Sequence, residues 1–297
     1  MTIHPDTIIG PICLTVSDLE GSLTFYTSML GLKVVKRVKG IAYLGVSSES
    51  SDYLFTLVER QDAVRKQPDT TGLYHYAILV PSRVDLALAM KKLTDNNYPL
   101  DGAADHLVSE AIYLKDPEGN GIEIYRDRPR KEWEREDGML KMATNHLDLP
   151  SLFADLEQSN RSWTGMPNDT RIGHIHLQVS DIVEAEKFYV NILGFEITIR
   201  HEHSALFLSA GGYHHHIGLN TWAGTKVGPP PGNSTGLRYF TIRLPDKVEE
   251  DKILERLSYN EIEVHRLGES GLTFEDPFKN GIFVSSGTSA GFLELSE

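Results

Sequence analysis

Several side chains in this sequence can do chemistry, and their neighbours say how. Glu123 lies between Ile122 and Ile124 in a short apolar run. A carboxylate there is costly to bury unless something pairs with it. Period-two alternation turns it to one face and both isoleucines to the other. His75, between Tyr74 and Tyr76, and His174, beside Ile175, also sit in apolar stretches. Taken singly, each reads as a satisfied core residue. The run His214-His215-His216 offers imidazoles, which titrate near neutrality and can carry a proton in either direction. An exposed polar turn with casual metal affinity is the plain alternative for that run. His106, in the phrase Asp105-His106-Leu107, suits a solvent-facing loop as well as a site. His201 and His203 alternate in a polar hairpin and suggest no chemistry, while Asp116 and Glu118 suggest a turn between strands. The single cysteine, Cys13, excludes a zinc site built on several thiolates and an internal disulfide.

The elements that must position these residues recur along the chain. Val16-Ser17-Asp18, Phe25-Tyr26 and Leu30-Gly31 return, with unchanged spacing, as Val179-Ser180-Asp181, Phe188-Tyr189 and Leu193-Gly194. A second pair of repeats carries Thr71-Gly72-Leu73 and Thr235-Gly236-Leu237. The same pair carries Asp116-Pro117 with Asn120-Gly121-Ile122, and Asp276-Pro277 with Asn280-Gly281-Ile282. Matches at several separated landmarks mark internal repetition. Each unit starts with an apolar strand, such as Ile12 to Val16 or Ile175 to Val179. A helix N-cap follows (Ser17, Ser82, Ser180, Asp246). Leu19, Leu23 and Tyr26, like Leu86, Met90 and Leu93, then recur at helical spacing. Gly31, Asn96-Asn97 and Gly194 break the helices, and three short strands follow. The expected class is α+β, as four tandem βαβββ modules over residues 8–60, 72–127, 171–223 and 235–286. A charged linker over residues 128–170 carries a helix near Leu149 to Leu156.

With 297 residues, 40% of them hydrophobic, the chain can fill cores of this size. Its net charge of −13 opposes a nucleic-acid backbone or an anionic membrane as partner. No apolar run reaches the roughly 18 residues a membrane span requires, and no basic, apolar leader opens the sequence. The expected setting is the cytoplasm. A homo-oligomer is compatible with all of this.

The tandem βαβββ pattern, with Leu193-Gly194-Phe195 and the phrase Asp116-Pro117-Glu118-Gly119-Asn120-Gly121-Ile122-Glu123, resembles the vicinal oxygen chelate superfamily. That superfamily includes glyoxalases, bleomycin resistance proteins and extradiol dioxygenases. The run from Gly212 to Asn220, with Ile124 and Tyr125 completing the earlier phrase, is most similar to the bacterial catechol 2,3-dioxygenases. The resemblance implies modules paired into cup-shaped sheets, with metal ligands on first and last strands. At the first-strand position the four modules carry Pro11, His75, His174 and Tyr239. At the last-strand position the second module carries Glu123 and the fourth Phe283. The implied ligands are His75, Glu123 and His174, a two-histidine, one-carboxylate set suited to Fe(II), with Mn(II) as second choice.

One ion can unite those three only if modules two and three share a cup, leaving modules one and four as a metal-free pair. This order differs from the common extradiol dioxygenases, whose catalytic cup joins modules three and four. The resemblance further implies His215 as acid–base residue, with neighbouring His216 as the competing choice or a substrate contact. It implies Tyr113 beside the substrate oxygens and His106 as a substrate contact. A glyoxalase would want a second carboxylate near the histidine run, and none is present. The expected reaction is extradiol cleavage of a small aromatic diol by dioxygen. Hydroquinone cleavage and a non-catalytic small-molecule binding or resistance protein of the same fold are the competing readings.

Overall fold

The structure is a computed structural model that describes residues 2–49, 52–136, 138–201 and 203–286. Module one runs β1 (Ile8–Val16), α1 (Leu19–Ser28), β2 (Lys33–Val38), β3 (Ile41–Gly45) and β4 (Phe55–Glu59). Module two runs β5 (Gly72–Leu79), α2 (Arg83–Asp95), β6 (Leu100–Asp105), β7 (Ser109–Lys115) and β8 (Gly121–Asp127). The connecting stretch forms three two-residue strands, β9 (Arg135–Glu136), β10 (Met139–Leu140) and β11 (Asn145–His146), and helix α3 (Leu149–Ser159). Module three has β12 (Arg171–Gln178), then α4 (Ile182–Glu186), continued by a wider π turn over Lys187–Ile192. Its remaining strands are β13 (Glu196–His201), β14 (Ala205–Ser209) and β15 (Ile217–Asn220). Module four comprises β16 (Gly236–Leu244), α5 (Lys247–Tyr259), β17 (His265–Arg266), β18 (Leu272–Glu275) and β19 (Gly281–Ser286).

The strands form two large sheets. One has eight strands in the order β17-β18-β19-β16-β1-β4-β3-β2; the other has nine, β11-β6-β7-β8-β5-β12-β15-β14-β13. Modules one and four therefore share the first sheet, and modules two and three the second, as the ligand positions required. Central strands β5 and β12 are buried along most of their length, whereas edge strand β2 is largely exposed and carries Lys33, Lys36 and Arg37. Charge on an exposed edge discourages pairing with another chain.

The helices start at side chains that accept first-turn amides, but two caps differ from expectation. Asp18 and Asp181 cap α1 and α4, not Ser17 and Ser180. Ser82 and Asp246 cap α2 and α5 as read from the sequence. Ser17 is otherwise occupied, because its N–H and its hydroxyl donate to Oε1 of Glu118 at 2.6 and 2.8 Å. Glu118 thus ties a module-two turn to the start of a module-one helix.

The repeated Asp-Pro turns do similar work on a larger scale. Asp116 accepts from Asn120 N and Nδ2 at 2.8 Å each, and also from the Tyr26 hydroxyl at 3.0 Å. Asp276 accepts from Asn280 N, Asn280 Nδ2 and the Tyr189 hydroxyl, all at 2.8 Å. Each turn therefore grips a tyrosine from the helix of the preceding module, which belongs to the other sheet. The shared landmarks Phe-Tyr and Asp-Pro are two halves of one clip, used twice.

Candidate metal centre and cavity

Three strands meet at the site. In the β5–β8 parallel ladder Ala77 pairs with Glu123, and across the β5–β12 seam Ala77 pairs with His174 and His75 with His176. A small alanine in the middle lets the flanking carboxylate and imidazole converge. The seam shifts register between Ile172 and His174, and such bulges re-aim side chains. Gly173 lies in this bulge, where an added Cβ would stand 1.8 Å from the Tyr125 hydroxyl. Only glycine leaves that hydroxyl room to reach the Tyr213 hydroxyl at 2.6 Å.

The cluster itself is compact. Nε2 of His75 and Nε2 of His174 each lie 3.2 Å from Oε2 of Glu123. Ligand atoms of all three lie within 4.8 Å of one another, and all three residues are buried. Two ligands held about 2.1 Å from one ion at right angles would be about 3.0 Å apart, so this spacing fits a shared ion. Nε2 of His75 is buried without a hydrogen-bond partner, although it points at the carboxylate. A buried nitrogen aimed at a carboxylate in this way suits a cation shared between them.

Burial dominates the electrostatics. It would push the Glu123 carboxyl up, but the charge and hydrogen bond of His174, with His75 beside it, outweigh it and hold Glu123 well below the usual range. Burial pushes the His174 imidazole down to about 4, against the opposing pull of Glu123. Glu123 is thus favoured as an anion and His174 as a neutral imidazole, the states a divalent ion requires of such ligands.

A cavity of about 580 Å³ opens over the cluster, lined by His75 and Glu123 but not by the more deeply buried His174. That volume suits a small organic ligand. Tyr113 pairs with Glu123 across the β7–β8 ladder. Burial, followed by the Glu123 charge, keeps its phenol well above the ordinary range. Nε2 of His106 lies 2.6 Å from the Tyr113 hydroxyl, and its Nδ1 lies 2.8 Å from the Ala143 carbonyl. The carbonyl can only accept, so Nδ1 of His106 donates to it. Tyr113, His106 and His215 all line the cavity.

His216 is turned away. Its Nδ1 accepts from the Ala210 N–H at 3.1 Å, and it lies outside the cavity lining. Alternation along the segment gives the cavity to His215 and places His216, the expected substrate contact, in the interior. The ring of His215 stacks on His174 at 4.0 Å between centroids. Burial, then the neighbouring imidazoles, holds its pKa well below the ordinary range.

Several contributors escaped the sequence reading. His176 shares the face of His174 by strand alternation, its ring 5.0 Å from that of His75 and its Nε2 accepting from Asn220 Nδ2 at 3.0 Å. That two-residue spacing was the available signal. Tyr74 and Trp222, both substantially exposed, meet at 5.2 Å at the cavity and give it an aromatic wall. His201, read as chemically silent, also lines the cavity, as do Met142 to Thr144 of the connecting stretch. The latter arrive because β11 pairs with β6 at the sheet edge.

In the other cup the corresponding positions are filled. Cys13, Tyr239 and Phe283 form a small buried cluster with Val58 against it, and Pro11 stands where module three has His174.

A two-cup βαβββ architecture with a buried histidine–histidine–glutamate cluster defines a class, and the comparisons agree. The Glyoxalase/Bleomycin resistance protein/Dioxygenase superfamily model matches residues 8–124 and 171–282, and this chain belongs to that superfamily. Among characterised relatives, a catechol-2,3-dioxygenase of Bacillus subtilis (strain 168) is 43% identical over 287 residues, covering 96% of this chain and 98% of its own. Glyoxalase I from Zea mays shares the fold at a TM-score of 0.56 and 15% identity, covering 95% of this chain and 92% of its own. A solved Bacillus subtilis protein, named as a candidate dioxygenase, superposes at a TM-score of 0.67 with 16% identity, covering 100% and 92%.

Proposed function

We propose that this protein is an extradiol dioxygenase that opens a catechol-type aromatic diol with dioxygen. The observation that carries the reading is the His75–Glu123–His174 cluster, buried and opening onto a cavity sized for a small aromatic ring. Near-full-length similarity to a catechol-2,3-dioxygenase supports it.

His75, Glu123 and His174 would hold one divalent ion, Fe(II) first and Mn(II) second on the chemistry of the donor set. When bound, such an ion supplies a chelation point for the diol oxygens and makes the encounter with dioxygen effectively intramolecular. His215, neutral and lining the cavity, accepts a proton from a diol hydroxyl. The Tyr113–His106 pair offers a phenol whose hydrogen bond can be handed between His106 and a substrate oxygen. The aromatic wall of Tyr74 and Trp222 excludes water and packs on the ring. The single cysteine is buried and free, which fits a reducing compartment, and we place the protein in the cytoplasm.

The test is oxygen uptake after anaerobic Fe(II) loading, with the yellow ring-opened product of catechol as second readout. Wild type is expected to consume oxygen with catechol but not with hydroquinone, and Glu123→Gln with neither. Turnover of hydroquinone alone, or of no diphenol, would overturn the assignment.

A further inference from the structure

Behind His215 lies a buried hydrogen-bonded chain that the reaction scheme above does not use. Nδ1 of His215 is 2.8 Å from Nδ1 of His214, and Nε2 of His214 is 3.0 Å from Oδ1 of Asp127. His214 is fully buried and His215 nearly so. Asp127 stays partly exposed, but the two imidazoles are costly to bury without a complete set of partners.

With both rings neutral, the donors and acceptors in this chain take one order. The Asp127 carboxylate accepts. It also takes the Tyr213 hydroxyl proton, at 3.0 Å to Oδ2. Nε2 of His214 then donates to Asp127, and its Nδ1 is left as the acceptor. Nδ1 of His215 must then donate to it. The remaining ring nitrogen of His215, Nε2, carries the lone pair, and His215 lines the cavity.

The chain is held in place from several sides. The His214 ring packs between Tyr213, at 4.1 Å, and Trp133, at 5.5 Å between centroids. The Thr198 hydroxyl grips the His214 carbonyl at 2.7 Å. Tyr213 is itself bonded to Tyr125, whose ring lies 4.9 Å from that of His174.

We infer that Asp127 and His214 are positioning residues that set His215 in its Nδ1-protonated tautomer, presenting Nε2 to substrate as a proton acceptor. This rests on the acid–base role proposed above for His215. In the step served, the diol O–H bond breaks, its electron pair stays on oxygen, and the proton forms an N–H bond at Nε2. The resulting imidazolium keeps its Nδ1–H bond to His214, whose donation to Asp127 strengthens it as an acceptor. A neutral His215 in the other tautomer would point a proton at the substrate and could not act as a base.

Two measurements test this. The first is long-range ¹⁵N–¹H correlation of the histidine rings in the metal-free protein, with His215 assigned by comparison with His215→Gln. The expected signal has a protonated Nδ1 and a bare Nε2; the opposite tautomer overturns the inference. The second compares His214→Phe, which fills the space without an acceptor, with His214→Asn, whose Oδ1 replaces Nδ1. A positioned acid–base group contributes roughly 10²–10⁴ to rate. His214→Phe is therefore expected to lower kcat about 10- to 100-fold with KM and ion content nearly unchanged, and His214→Asn to recover most of it. Equal loss in both variants, or no loss in either, would mean simple packing and reject the inference. If wild type turns over no diol, the functional proposal fails while the ring-nitrogen spectrum still decides the tautomer.

Discussion

His215 and His216 are neighbours with opposite fates, and the difference is set by which side of the chain each faces. His216 accepts the Ala210 amide in the interior, and burial pushes its pKa down to about 3. An imidazole depressed in the folded state leaves the unfolded chain binding the proton first, near pH 6.5. The stability contributed by neutral His216 is thus complete above about 6.5 and lost progressively as pH falls toward 3. His216→Asn, whose Oδ1 can accept the same amide, should flatten the decline. Urea midpoints of the metal-free proteins between pH 7.5 and 4 check it, with the variant expected to lose less stability than wild type. Parallel curves would reject that assignment.

At the scale of elements, the seam between β5 and β12 decides the site. Its bulge at Gly173 places His174 and His176 on the cavity side and gives the Tyr125 hydroxyl its space. Gly173→Ala would drive a methyl into that hydroxyl, and overpacking of a buried site costs about 1–3 kcal/mol. Because Tyr125 packs on His174, the same change should weaken ion binding by a further measurable factor, about 10-fold. Chemical unfolding and metal titration read the two effects separately. A variant as stable and as tight-binding as wild type would show that the seam tolerates a side chain there.

Across the whole molecule, two clips tie one cup to the other, Tyr26 to Asp116 and Tyr189 to Asp276. Asp276→Asn puts an amide donor among four donors: Tyr189, Asn280 Nδ2 and the Phe278 and Asn280 amides. Leaving one of them unsatisfied should cost about 1–3 kcal/mol. Ion content should be unchanged, since the altered turn belongs to the other cup. Stoichiometry is the complementary test. With Pro11, Tyr239 and Phe283 at the second cup's ligand positions, metal analysis of loaded protein should find one ion per chain. That ion should raise the unfolding free energy by about 2.7 kcal/mol at a hundredfold excess over Kd, and Glu123→Gln should abolish the rise. Two ions per chain would contradict the reading of the second cup.

Much of this was legible in the sequence, because repeats and alternation are local and periodic. The four modules and the faces of Glu123 and its isoleucines follow from spacing, and the ligand positions from the superfamily resemblance. The pairing of modules two and three follows from chemistry: three ligands on two modules cannot meet at one ion otherwise. What spacing could not reveal depends on contacts between distant segments. The caps moved to Asp18 and Asp181, and in module one Ser17 binds Glu118 of the next module. The connecting stretch became cavity wall because β11 joined a sheet edge. His214 acquired a role only when β8 brought Asp127 to it. Repeats and the superfamily resemblance were enough to nominate His75, Glu123 and His174 for an ion and the His215–His216 pair for a base. The tertiary structure decided which nitrogen of each imidazole is free, because a tautomer is set by hydrogen-bond partners that only the folded chain assembles.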